Sequence, residues 1–207
     1  TKPTKDVSPV SYEKYYKKHV LRPMFSAYAK GLTPNPDIAC NKTIKFPFLW
    51  KAAQQHNADF IATCHYARIK KTPRGYELLS GKDKDQSYFL AELSQADLSH
   101  TIFPIGNYTK KQVRKIAKQH NFPNWSRHST VGICFVGQMS MQKFLKQKIK
   151  EKPGKIRDPE GNILGSHKGT MFYTIGQKAG EHIGIHIQKP SHLAQKRFYI
   201  ADKKGNT

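Results

Sequence analysis

An aspartate and a cysteine stand three residues apart, Asp37 and Cys40, directly after the proline-spaced run Thr33-Pro34-Asn35-Pro36. Each proline fixes its own φ and pushes the residue before it out of the helical region, so this run reads as a stiff, extended turn. One helical turn starting near Asp37 would set the carboxylate and the thiol on a single face. A thiol near a helix N-terminus is favoured as thiolate by the dipole and the free backbone N–H groups, and Lys42 and Lys45 add positive charge. The chemistry on offer is a proton-handling group beside a nucleophilic sulfur. Local sequence leaves a plainer reading open: Asp37 as an N-cap and Cys40 as a small buried residue.

Two more cysteines, Cys64 and Cys134, complete the three in the chain. No C-x-x-C pair exists, so no zinc clip is expected, and scattered cysteines fit a reducing compartment. Cys64 follows the short apolar run 59–63, which has buried-strand character. A helix over 48–57 precedes it, and helix then buried strand implies an α/β unit with a parallel sheet. Functional groups in such sheets sit at the carboxyl ends of strands, where Thr63, Cys64 and His65 fall. Cys134 lies in the apolar stretch 129–137, where local sequence favours a buried core cysteine.

The remaining elements follow from periodicity and punctuation. Residues 1–10 read as a polar linker. Apolar residues from 11 to 30 keep a helical period, with Pro23 as a kink and Gly31 as the stop. Residues 67–71 and 76–80 flank Pro73-Arg74-Gly75 as a hairpin. The charged loop 81–87 leads into a helix over 88–93, and Thr109 caps a helix over 110–120. Past Gly137 the composition changes. A short basic helix over 141–149 precedes glycine-punctuated strands at 155–157, 163–165, 171–173, 183–187 and 197–201.

The chain has 207 residues, with 36 Lys and Arg against 14 Asp and Glu, a formal charge of +22. So large an excess implies a polyanionic partner, nucleic acid first, against the plainer reading of a solubilising surface. No apolar run reaches bilayer-spanning length and residues 1–6 are no signal peptide, so no membrane partner is expected. The chain begins with Thr, and 202–207 look like a hairpin turn cut before its second strand. Both suggest a piece of a longer protein.

Taken together, several stretches resemble the tRNA-specific 2-thiouridylase (MnmA/TrmU) family. They are Thr33-Pro34-Asn35-Pro36-Asp37 with Cys40-Asn41, Ile44-Lys45-Phe46, Ala58-Asp59, Ile61-Ala62-Thr63 and His65-Tyr66. Lys84-Asp85-Gln86-Ser87-Tyr88-Phe89-Leu90, Phe103-Pro104-Ile105-Gly106, Gly132-Ile133-Cys134-Phe135-Val136-Gly137, Pro153-Gly154 and Tyr173-Thr174-Ile175-Gly176-Gln177 follow in order. The resemblance implies an ATP-dependent transfer of persulfide sulfur to C2 of the wobble uridine of tRNA, by way of an adenylated uridine. It implies Cys134 as the persulfide carrier, Cys40 as the partner that releases the sulfur by forming a disulfide, and Asp37 as acid/base. Asn35, Pro36 and Asp37 would meet the target base, and His65 with Lys84, Asp85 and Gln86 would contact the tRNA, whose anticodon loop carries the wobble uridine. The cofactor implied is ATP, taken with Mg2+, with no resident metal. The partners implied are tRNA and a sulfur-donor relay protein or cysteine desulfurase. The compartment implied is a bacterial-type cytoplasm, with the mitochondrial matrix as the alternative.

The sequence departs from that family in places. The Ser-Gly-Gly-Val-Asp-Ser loop that holds ATP pyrophosphate is not among these residues. Cys64 occupies a usual glycine position bordering the nucleotide, Ser129 a usual aspartate position, and 179–185 replace a glycine-rich run. The expected architecture is therefore α/β: residues 1–137 as the C-terminal part of a PP-loop, Rossmann-type nucleotide domain, 138–195 as a small α+β tRNA-binding module, and 196–207 as the start of a β-barrel. A non-catalytic tRNA-binding remnant of the same family is the alternative function.

Overall fold

The described residues open in helix, as the periodicity predicts. Glu13–Tyr16 (α1), a π-helical turn Lys17–Leu21 and Arg22–Ala29 (α2) follow one another without a break. Pro23 cannot bond the carbonyl four residues back, at His19, and the widened π turn falls at that carbonyl. The helix stops at Gly31, whose φ is +79°. The Gly31 N–H donates to the Tyr28 carbonyl at 2.8 Å and the Leu32 N–H to the Ala27 carbonyl at 3.0 Å, the Schellman arrangement that requires a left-handed residue at this position. The computed structural model describes residues 12–127, 139–188 and 197–205. These fall into two units, 12–21 with 36–127, and 22–35 with 139–188 and 197–205.

In the first unit, Pro36–Cys40 (α3), a π turn Asn41–Lys45 and Phe46–Gln55 (α4) form one uninterrupted helix. It starts twelve residues earlier than the helix predicted over 48–57. Pro36 at the first position and Asp37 in the first turn are both favourable N-terminal choices. Ile61–Ala62 (β1) pairs in parallel with Thr101–Ile102 (β4), Ile61 opposite Thr101. Between them, Ala67–Thr72 (β2) and Gly75–Ser80 (β3) form the predicted hairpin, with Thr72 opposite Gly75. Gln95–Ser99 (α5) and Lys110–Gln119 (α6) each begin with a reciprocal capping box, Ser94 with Asp97 and Thr109 with Gln112. The core is Phe46, Ile61, Ala67, Leu90 and Phe103, with Trp50, Ala53, Ile69, Leu78 and Leu93 packed around it. The helix predicted over 88–93 is only a 3-10 turn, Ser87–Leu90. The strand predicted over 129–137 lies outside the described residues.

In the second unit, Met141–Lys146 (α7) precedes an antiparallel sheet in the order Gly154–Arg157 (β5), Ile163–His167 (β6), His186–Ile187 (β7). Residues 171–173, predicted as strand, form instead a 3-10 turn, Thr170–Phe172. Gly169, with φ +139°, turns the chain there and lets Phe172 bury itself. The run 183–187 is likewise divided by Gly184 at φ +73°, leaving only β7 extended. Of 197–201, Tyr199 makes a single bridge to Lys178. The Lys203 ammonium donates to the Tyr173 carbonyl at 2.8 Å and also to the Gly31 carbonyl, which secures the turn after α2 within this unit. Among the described residues no helix is long and apolar enough to cross a membrane.

Candidate functional site

Asp37 and Cys40 sit at the two ends of α3, both half-buried, three residues apart on continuous helix. They therefore share a face, as the spacing predicts. Cys40 closes the first turn rather than opening it, so the free N–H groups of the helix start lie nearer Asp37 than the thiol. Directly after Cys40 the helix widens into its π turn. Pro36 is buried at the helix start, whereas Asn35 is exposed. Cys134 lies outside the described residues.

Asn41 follows Cys40 and is 3 % exposed. Its Nδ2 donates to the Phe89 carbonyl at 3.0 Å. One residue further, the exposed Lys42 ammonium meets Glu92 at 2.8 Å. The thiol-bearing helix is thus pinned to the 3-10 turn Ser87–Leu90, which immediately follows Lys84-Asp85-Gln86. Sequence reasoning assigned Asn41 no role. The available signal was a polar residue on the buried stripe it shares with Ile44, where an amide must find a partner.

The carboxyl end of β1 forms the second part of the site. The Thr63 N–H donates to the Ile102 carbonyl at 3.2 Å, and Cys64 is exposed just beyond. His65 Nδ1 shares a hydrogen bond of 2.8 Å with the Thr63 hydroxyl, and the ring packs 5.9 Å from Phe46 and 6.0 Å from Phe103. Burial, together with the charge of Lys45, lowers its pKa to about 4. At neutral pH His65 meets any ligand as an uncharged ring.

The loop after β3 is shaped by its own side chains. Asp85 accepts from the Ser87 hydroxyl at 2.6 Å, the Ser87 N–H at 2.9 Å and the Ser80 hydroxyl at 3.2 Å. The Ser87 bonds hold its carboxyl below the usual range. Gln86 and Tyr66 make a two-way clamp, the Tyr66 N–H to Oε1 and the Gln86 N–H to the Tyr66 carbonyl, each 3.0 Å. Gly81 allows the closure, since a Cβ there would stand 2.2 Å from the Lys84 carbonyl oxygen. Asp85 and Gln86 thus spend these contacts on loop shape, and the exposed Lys84 is the group offered outward. Asp83 accepts from the Lys110 N–H at 3.0 Å, which joins this loop to the start of α6. Burial and the nearby charges of Lys84 and Arg114 push the Lys110 amine below its ordinary value.

Among the described residues no group of three or more His, Cys, Asp or Glu is placed to hold a metal. For a nucleotide, the end of β1 with Cys64 offers one border, but no described strand–helix turn offers the glycine-rich run of N–H groups that cradles phosphates. A cavity of about 580 Å3 in the second unit, lined largely by Leu164, Tyr173, Ile185, Ile187 and Phe198, includes none of the site residues.

Two family models and several curated relatives match this chain. The family described as "tRNA methyl transferase HUP domain" matches residues 6–138, and "tRNA methyl transferase PRC-barrel domain" matches residues 142–207. The fold is accordingly a HUP domain, of PP-loop Rossmann-like type, followed by a PRC-barrel domain. A protein named tRNA-specific 2-thiouridylase MnmA from Coxiella burnetii (strain Dugway 5J108-111) is 43% identical over 196 residues, covering 94% of this chain and 53% of the relative. The Nitrosomonas europaea protein of that name is 44% identical over 177 residues, 84% of this chain and 49% of the relative. A Geobacillus kaustophilus relative is 45% identical over 177 residues, 84% and 48%. The chain spans about half the length of the curated relatives it matches.

Proposed function

The chain belongs to the MnmA/TrmU family of tRNA-specific 2-thiouridylases, and from that premise we propose that it is the thiol-bearing part of a tRNA-uridine 2-sulfurtransferase. The observation that carries the reading is the placement of Asp37 and Cys40 on one helical face, pinned through Asn41 to the turn that follows Lys84-Asp85-Gln86. Family descriptions name methyl transfer and the relatives name thiolation. The thiolation reading is taken from the names of the relatives, and Cys40 on the helix that carries Asp37 suits it.

In this reading a persulfide on Cys134 attacks C2 of the wobble uridine with its terminal sulfur, and the activated O2 leaves with its electron pair. The Cys40 thiolate then attacks the Cys134 sulfur. The old S–S bond breaks toward the base, leaving 2-thiouridine and a Cys40–Cys134 disulfide, and a thiol reductant restores both cysteines. Asp37, one helical turn from Cys40, takes and returns the proton at the base. Asn35 and Pro36 border the base, with the neutral His65 and Lys84 nearer the surrounding RNA. A wobble base in an anticodon loop is already exposed enough to enter such a site.

ATP with Mg2+ supplies the activation of O2. Cys64 borders that nucleotide, and no described residue is given a role in holding its phosphates. A cysteine desulfurase or relay protein supplies the sulfur. The free-thiol chemistry and the tRNA substrate suit a bacterial cytoplasm.

The test is thiolation by the full-length protein, with ATP, a cysteine desulfurase with cysteine as the persulfide source, and an unmodified tRNA carrying a wobble uridine. The nucleosides are read by mass after digestion. Cys134→Ser and Cys40→Ser are expected to abolish 2-thiouridine. Wild type that binds the tRNA yet makes none would leave a non-catalytic RNA-binding protein in its place.

A further inference from the structure

Between Asp97 and Glu151 the sequence contains no acidic residue and ten Lys or Arg. Five of the ten, Lys110, Lys111, Arg114, Lys115 and Lys118, lie on α6. At 100° per residue they cover one side of the helix, and Val113, Ile116 and Ala117 the other. Successive members of the row Lys110, Arg114, Lys118 rise about 6 Å along the axis. Like charges four residues apart destabilise a helix, and an ordinary solvated face interleaves both signs. Here that cost is carried with no acid on the helix to offset it.

The surroundings keep the charge outward. Lys111, Lys115 and Lys118 are exposed and form no ion pair among the described residues. Lys118 lies 4.9 Å over the Trp125 ring, and Arg114 Nη2 donates to the Arg127 carbonyl at 3.0 Å, so both also hold the segment that leads toward Cys134. The nearest acid, Asp83, is used at the helix start, where it accepts from the Lys110 N–H. Through that bond the basic face continues into the loop carrying Lys84.

We propose that the basic face of α6, extended by Lys84, is a docking surface for the phosphate backbone of the RNA substrate. This rests on the tRNA reading above. The partner follows from charge complementarity: an acid-free row of cations along a rigid helix fits a regularly charged polyanion. Contacts from a row of cations to phosphates carry no sequence information, so the face positions RNA rather than selecting sequence. It holds the strand beside the loop that offers Lys84.

The experiment measures binding of the full-length protein to an unmodified tRNA bearing a wobble uridine, across a salt series, for Lys111→Ala/Lys115→Ala. Both positions are exposed and outside the catalytic set, and alanine favours helix. The slope of log affinity against log salt is expected to shrink by about 1.4–1.8, twice the 0.7–0.9 of one phosphate contact. Lys111→Arg/Lys115→Arg is expected to retain the slope. Lys70→Ala/Lys71→Ala, on the hairpin, is expected to leave it unchanged. Unchanged affinity and slope in the α6 alanine variant, or an equal loss in the hairpin variant, overturns the proposal. The catalytic reading is separable: wild type that thiolates while the α6 variant binds normally refutes only the docking surface, whereas binding with the expected slopes and no thiolation refutes only the enzyme.

Discussion

Asn41 donates through Nδ2 to the carbonyl of Phe89, 48 residues further along the chain, at 3.0 Å, while its Oδ1 is buried without a hydrogen-bond partner among the described residues. A half-satisfied buried amide is a costly choice for a helix interior. Here it fixes the rotation of the helix that carries Asp37 and Cys40 relative to the turn after Lys84-Asp85-Gln86. Asn41→Leu would keep the branched shape of the side chain and leave the Phe89 carbonyl unpaired. The expected loss is about 1–3 kcal/mol of stability, read by denaturant unfolding. Thiolation should fall further than tRNA affinity, since the cations of the proposed α6 face do not lie on this helix. Parallel losses in both would reduce Asn41 to a packing residue.

His65 predicts a pH dependence of stability. Its folded pKa is about 4, against about 6.5 for a histidine in an unfolded chain. Between those values the unfolded state binds more protons, so stability rises with pH across that window and is level above it. His65→Gln should flatten this part of the curve, measured as melting temperature against pH. An unchanged slope in the variant would assign it to other groups.

Gly106 is needed for close approach rather than for an unusual φ. A Cβ there would stand 1.8 Å from the Ala67 carbonyl oxygen, a backbone atom that cannot move aside. The Gly106 carbonyl also accepts from the Lys82 N–H at 2.9 Å, which holds the start of the Lys84 loop. Gly106→Ala is expected to cost upwards of about 3 kcal/mol or to prevent folding. A variant that melts within a few degrees of wild type would show that this contact yields.

The three cysteines should separate by role. Cys64 is exposed at the end of β1 whereas Cys40 is half-buried on the pinned helix. Cys64→Gly is expected to retain thiolation and to bind ATP at least as well as wild type, because removing a Cβ there would open the nucleotide border proposed for this position. Cys40→Ser should stop product formation while leaving a persulfide on Cys134, detectable by intact mass after loading by a cysteine desulfurase with cysteine in the absence of tRNA. Loss of thiolation in Cys64→Gly would instead make the third thiol a participant.

Much of this protein is readable from local rules. The stop at Gly31, the hairpin around Pro73-Arg74-Gly75, the cap at Thr109 and the shared face of Asp37 and Cys40 each depend on a few neighbouring residues and the geometry of one turn. The membership in a thiouridylase family is likewise carried by short motifs in order. Tertiary structure decided what those rules leave open. Residues 88–93 and 171–173 have apolar patterns that permit helix or strand, and became single 3-10 turns where Leu90 and Phe172 reached a core across the chain. The charge state of His65 was not legible until burial against Phe46 and Phe103 lowered its pKa. Asn41 looked like an unremarkable polar residue until the Phe89 carbonyl, 48 residues away, became its partner. Hydrogen-bond satisfaction and desolvation are sums over neighbours that only folding supplies. Spacing along the chain therefore determined which groups could act, and packing determined in which charge state and orientation they are held.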